Sequence, residues 1–262
     1  MFPEILPESG LYIPTYGISF SFSVILAVLL GYRRAKLERL DIDHFSRAVF
    51  IGLLGLIVVS KALHVATEWR LYAQDPWDAF DLRRGHAFYG GVIGGIGLPY
   101  IYTRLVKERY LTYLDIWLTY SALGLTIHRA IGCLGAGCCH GAPTGLPWGI
   151  TFPAEAPASV RFGPVPVHPT QIYESLVFCV AFLFILFWRK RRRKVAGELF
   201  AWWLLFCGVG KFLVEMLRGD PGRGFLLSLS TAQWISVGML AASGALWLHV
   251  RKQRRASFPT YN

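Results

Sequence analysis

The run Ile131-Gly132-Cys133-Leu134-Gly135-Ala136-Gly137-Cys138-Cys139-His140-Gly141 closes an apolar segment and follows directly on His128 and Arg129. Its glycines loosen a helix, its three thiols offer soft nucleophiles, and the histidines and arginine bring protons and charge. Ionisable side chains at membrane depth are costly and face a protein interior or a water-filled cavity. His128 and Arg129 therefore read either as part of a site or as a satisfied structural pair bridging to Asp115. Adjacent helix positions diverge by about 100°, so the two side chains point in different directions. Cys138, Cys139 and His140 admit a metal site, an activated thiol or plain structural cysteine. Vicinal thiols diverge on a helix, and C-x4-C-C is not a usual zinc spacing, so structural cysteine is favoured and no metal or other cofactor is expected.

Three further segments carry polar residues into apolar surroundings. Arg218 ends Val214-Glu215-Met216-Leu217-Arg218. A guanidinium there offers a planar fork suited to phosphate, or it snorkels and pairs with Glu215 three residues earlier. Phe88-Tyr89-Gly90-Gly91-Val92-Ile93-Gly94-Gly95 opens another apolar stretch. Small-residue packing accounts for Gly94 and Gly95, while Gly90 and Gly91 at a helix start expose N–H groups to an anion. Val167-His168-Pro169-Thr170-Gln171-Ile172-Tyr173-Glu174 enters a third stretch. Here Thr170 is expected as a helix cap, with His168 as the alternative and Glu174 near the first turn. Gln171 and Tyr173 can donate to headgroup oxygens or anchor the interface.

The elements that must position these residues are membrane helices. The 262-residue chain is 54% hydrophobic and only 16% charged, with a mean hydropathy of +0.42. Seven spans are expected: Tyr16–Leu30, Ala48–Val65, Phe88–Tyr102, Leu114–Cys133, Tyr173–Trp188, Leu199–Leu217 and Ala232–Val250. Each must be a helix, because lipid cannot satisfy open backbone groups. The fold class is thus an all-α, polytopic membrane bundle forming a single domain over residues 1–262. The net charge of +11 does not point to nucleic acid. Arg33, Arg34, Lys36 and Arg39 follow the first span; Arg104, Lys107 and Arg109 the third; Arg189 to Lys194 the fifth; and Arg251, Lys252, Arg254 and Arg255 the seventh. These clusters fall on one side, which the positive-inside rule makes cytoplasmic, leaving the N-terminus outside and the C-terminus inside. No removable signal peptide is expected. Outer lobes are expected near 67–85, 142–168 and 219–230, the second rich in proline and glycine. Cys179 and Cys207 fall mid-span and read as packing residues.

Taken in order, Phe88 to Gly94, Ile131 to Gly141, His168 to Glu174 and Val214 to Arg218, with Thr231-Ala232-Gln233-Trp234 downstream, resemble the bacterial prolipoprotein diacylglyceryl transferase family over most of the chain. The resemblance implies a multi-pass protein of the bacterial inner membrane. It would move the diacylglyceryl group of phosphatidylglycerol onto the lipobox cysteine thiol of a preprolipoprotein, forming a thioether and releasing glycerol phosphate. Its partners are then phosphatidylglycerol, the preprolipoprotein signal peptide and the bilayer, with no nucleic acid. The alternative is a related phospholipid-dependent membrane transferase, or a lipid-binding paralogue, with a different acceptor. A small transporter fits less well, because the polar residues gather at one face instead of forming a midplane path.

The chemistry is expected at Arg218, Arg129, Tyr89 and His140. Substrate binding is expected at Gly90, Gly91, Gly132, Cys133, Gly141, His168, Gln171, Tyr173 and Glu215. Arg218 matches the family's arginine at this helix end and is assigned to the phosphate. A guanidinium turned outward or locked onto a carboxylate would count against that assignment. Three departures stand out. Tyr89 occupies the histidine position of the family's F-H-G-G, leaving proton handling among His140, His86 and Tyr89. The family's G-R-I-G-N-F reads Arg129-Ala130-Ile131-Gly132-Cys133-Leu134, so Arg129 is displaced by one residue and needs a local helix irregularity to substitute. The family's acidic N-G-E segment is replaced by Ala136-Gly137-Cys138-Cys139.

Overall fold

The computed structural model describes residues 15–73, 75–81, 87–191, 195–219 and 225–257, of which the side chains of Phe88, Tyr89, Lys190, Arg191 and Ser257 are outside the description. The chain is mostly helical, at 76%. Among the described residues seven helices run 18 residues or more: α1 Thr15–Leu37, α2 Ile42–Thr67, α3 Phe88–Leu105, α4 Tyr110–Ile127, α5 Thr170–Arg191, α6 Glu198–Glu215 and α7 Thr231–Ser257. Each expected span falls within one of them or, for the fourth and sixth, runs a few residues past its end. By length and composition α1, α2 and the Thr170–Arg189 part of α5 are apolar enough to cross a membrane.

The burial pattern of α1 is inverted relative to a water-soluble helix. Ser19, Ser23, Ala27, Gly31 and Ala35, one in every four residues, are buried, whereas Ile18, Phe22, Ile25 and Leu29 are exposed. Lipid is as apolar as leucine, so nothing drives large side chains inward, and small residues let backbones approach.

The chain divides into two compact units, residues 32–113 and residues 1–31 with 114–262. In the first, α2 and α3 meet backbone to backbone. A Cβ on Gly55 would lie 2.5 Å from the Gly94 carbonyl oxygen, which bears out the packing role expected of Gly94. The Gly91 N–H is bonded within the chain to the Ala87 carbonyl at 3.2 Å, and Gly90 packs against Val59 and Ser60 of α2. The buried Lys61 ammonium donates to the Tyr72 hydroxyl at 3.3 Å and lies 5.0 Å from its ring centroid.

In the second unit α5, α6 and α7 pack through an aromatic cluster of Phe184, Trp188, Trp202, Phe206 and Trp247. Asp115 accepts hydrogen bonds from the Gly197 and Phe200 N–H groups, both at 2.8 Å. Its carboxylate thereby sits at the electropositive start of α6, and it is not the partner of His128 or Arg129. At the start of α7 the Ser230 N–H donates to Gln233 Oε1 at 2.9 Å and the Gln233 N–H donates to Ser230 Oγ at 3.2 Å, a reciprocal capping box. The lobe between α4 and α5 has its own small core of Phe152, Ala158 and Val167. A short hairpin, β1 Phe225–Leu226 with β2 Leu229–Ser230, qualifies the all-α expectation.

Candidate active site

Past Ile127 the helix α4 does not stop. It widens into a π-helical segment, His128–Cys133, and ends in a last turn at Leu134–Ala136. A π-turn holds about one residue more than an α-turn, which is the irregularity that the displaced Arg129 requires. Arg129 Nε lies 2.8 Å from Glu174 Oε2, close as charges but not aligned as a hydrogen bond. Its Nη1 donates to Cys133 Sγ at 3.5 Å.

Glu174 is the hub of the cluster. The carboxylate is buried on α5, and its Oε1 meets Lys211 Nζ of α6 at 3.3 Å and Arg218 Nη1 at 3.9 Å. Arg218 Nε also lies 3.8 Å from the buried Glu215 Oε2. Both guanidiniums are therefore engaged with carboxylates, Arg129 with Glu174 at 2.8 Å and Arg218 with Glu174 and Glu215 at 3.9 and 3.8 Å. Arg129, Lys211 and Arg218 thus share carboxylates in a partly buried setting, where charge interactions are stronger than in water. Such a cluster can receive an anion of phosphate type.

A short backbone weave fixes these helix ends together. The His140 carbonyl accepts from the Gly219 N–H at 3.2 Å, and the Ala142 N–H donates to the Leu217 carbonyl at 2.9 Å. On the other side the Gly141 N–H donates to the His168 carbonyl at 2.9 Å, and the His168 N–H to the Ala142 carbonyl at 3.0 Å. A Cβ on Gly141 would clash with His168 and stand 2.9 Å from the Leu217 carbonyl oxygen, so this strand can carry only glycine there. Thr170, expected as a cap, instead donates its hydroxyl to the Cys139 carbonyl at 2.6 Å. Gln171, fully buried, donates to the Cys138 carbonyl at 2.7 Å and is a clamp on the loop instead of a headgroup donor.

The other expected residues divide. Arg129, Arg218, Glu215, Cys133 and Gly132 are gathered around the cluster and the π-segment. His140 is buried, with Nδ1 3.0 Å from the Gly141 carbonyl and its ring edge-on to Phe162. Tyr173 accepts from Trp148 Nε1 at 2.8 Å and lies 3.4 Å from His168 Nδ1, forming an aromatic group at the head of α5. The side chain of Tyr89, and all of His86, lie outside the described residues. Sequence reasoning missed Glu174 as a site residue and passed over Lys211, although ionisable groups inside apolar helices were the available signal.

All five cysteines are free. The Cys138 thiol donates to the Cys133 carbonyl at 3.7 Å. Hydrogen bonds from the Cys133 and Cys138 thiols, reinforced by the charges of Arg129 and Arg218, hold the Cys139 thiol well below its ordinary range. Cys138, as their donor, is pushed up.

The fold and site define a helical membrane protein with a cationic cluster where α4, α5 and α6 end or begin. The profile of the family described as prolipoprotein diacylglyceryl transferase matches residues 4–249. The chain is 35% identical to the phosphatidylglycerol–prolipoprotein diacylglyceryl transferase of Clostridium tetani (strain Massachusetts / E88), over 90% of this chain and 93% of that protein. It is 36% identical to the second such transferase of Clostridium perfringens (strain 13 / Type A), covering 93% of each, and 30% identical to that of Finegoldia magna over 93% and 94%. The chain belongs to the prolipoprotein diacylglyceryl transferase family.

Proposed function

We propose that this protein transfers the diacylglyceryl group of phosphatidylglycerol to the lipobox cysteine thiol of preprolipoproteins, as a multi-pass enzyme of the bacterial inner membrane. The names of its relatives supply the substrates, and the site supplies the chemistry. The observation that carries the reading is the convergence of Arg129, Lys211 and Arg218 on one buried carboxylate, Glu174. In this reaction a thiolate attacks the sp3 carbon of the lipid glycerol. The C–O bond to phosphate breaks, and glycerol phosphate leaves with the electron pair. Arg218 meets the phosphate; Arg129 and Lys211 supply the surrounding field, and Glu174 and Glu215 keep the guanidiniums oriented. Seven spans, with the N-terminus outside and the basic helix ends inside, would place this cluster at the outer face, where exported substrates arrive.

Arg218→Ala tests the reading. Loss of a donor aimed at developing charge costs roughly 10²–10³ in turnover. Labelling of a lipobox peptide by phosphatidylglycerol in proteoliposomes should fall by that factor while the protein remains folded. Undiminished labelling would remove Arg218 from phosphate recognition. Labelling of some other acceptor in place of the peptide would favour the related transferase.

A further inference from the structure

The first unit carries a cluster of ligating side chains that the cationic site does not use. α1 and α3 end alike. The Leu40 N–H donates to the Ala35 carbonyl and the Arg39 N–H to the Lys36 carbonyl, both at 3.1 Å. The Glu108 N–H donates to the Thr103 carbonyl at 2.8 Å and the Lys107 N–H to the Arg104 carbonyl at 3.4 Å. Both are Schellman closures, with Arg39 and Lys107 at φ +56° and +60°, where glycine is the common choice. The first closure leads into Asp41, the N-cap of α2, and the second delivers Glu108 between α3 and α4. Asp41 Oδ1 accepts from the His44 N–H at 2.9 Å, so the cap and the third residue of α2 stand together at one helix start. One ligand atom from each of Asp41, His44 and Glu108 lies within 4.8 Å of the other two.

Two tyrosines complete the surroundings. The Tyr102 hydroxyl lies 2.7 Å from His44 Nδ1 and fixes the imidazole, as the outer partners of metal-bound histidines do. Tyr113 is buried near the start of α4, its ring edge-on to Phe45 at 5.4 Å. Its hydroxyl has no hydrogen-bond partner among the described residues, and Glu108 and Asp41 are the charged groups that act on it. Buried polar groups are rarely left in that state, and a water held on an ion between the carboxylates would satisfy it. We infer that Asp41, His44 and Glu108 bind a first-row divalent metal ion, Zn²⁺ being the best match, as a tie between the α1–α2 and α3–α4 connections. An imidazole nitrogen and two carboxylate oxygens are donors that Zn²⁺ takes, and three protein ligands leave a fourth tetrahedral position for water. Ligands about 2.1 Å from a tetrahedral ion stand about 3.4 Å apart, so the three atoms close by at most about 1.4 Å. The exposed Asp41 side chain has the freedom to supply that movement.

The test is calorimetric titration of Zn²⁺ into chelator-treated, full-length protein in detergent. The chains compared are the parent, His44→Gln, Glu108→Gln and Asp43→Asn, the last removing a neighbouring carboxylate outside the cluster. Loss of an outer partner alone weakens a metal site by roughly 10–100-fold, so each ligand variant should lose at least that much affinity. Each should also lose the rise in melting temperature that Zn²⁺ gives the parent, whereas Asp43→Asn should match the parent in both. Co²⁺ separates this site from the thiols, because bound here it shows no thiolate charge-transfer band and bound at Cys138 or Cys139 it does. If His44→Gln does not fold, Glu108→Gln decides. A parent that binds no Zn²⁺, ligand variants that bind it as tightly as the parent, or an equal loss in Asp43→Asn overturns the site. None of these readouts depends on diacylglyceryl transfer, so the metal site and the proposed function fail separately.

Discussion

Glu174 bears the most weight per atom in this structure, because its two oxygens face three cations taken from positions 129, 211 and 218. Removing one partner of a buried ionic group leaves uncompensated charge, at a cost of roughly 3–5 kcal/mol. Glu174→Gln is expected to lower the melting temperature measurably in detergent and to impair transfer, because Arg129 and Arg218 lose their common anchor. An unchanged melting temperature would mean that the cations are already balanced elsewhere. The thiols offer an independent check. Because Cys139 is held below the ordinary thiol range and Cys138 above it, Cys139 remains thiolate as the pH falls through the usual thiol pKa. A small alkylating reagent at pH 6.5 should modify Cys139 ahead of Cys138, as mapped by peptide mass spectrometry, and their order should not reverse at pH 8.

At the scale of elements, irregularities do the positioning. The π-segment after α4 carries Arg129 beside Glu174, and the two-sided weave through His140–Ala142 ties this segment to α5 and to the end of α6. The capping box at the start of α7 is a different kind of element feature, local and remote from the charges. Gln233→Ala should cost about 1 kcal/mol through the lost cap, seen as a small drop in thermal stability with transfer largely retained. The box was legible as Ser230-Thr231-Ala232-Gln233, an S-x-x-Q pattern ahead of an apolar run. The resemblance marked the same stretch without giving the mechanism. The role of Gln171 was not legible, because an amide at a helix start serves a headgroup or a loop carbonyl equally well until the loop is in place.

For the molecule as a whole, the expected topology makes a clear prediction. A reporter active only outside the membrane should be active when fused within the lobe at Glu155 and inactive when fused at Glu108 or after Arg255. Activity at Glu108 would overturn the inside assignment of the basic connections. The long helices themselves were readable from hydropathy, since each expected span falls largely within one of them. Transfer free energy is a sum over neighbouring residues, and a run of sequence contains every term of it. The packing role of Gly94 was foreshadowed by residue type alone, as were Arg129 and Arg218 as charges with no business in lipid. Pairing is another matter. Ser19 meets His128 across 109 positions and Lys211 meets Glu174 across 37, and no local sum over sequence records which charge or proton donor will close on which. That choice is made when the helices pack, because the energy of a buried charge depends on the few ångströms to its partner.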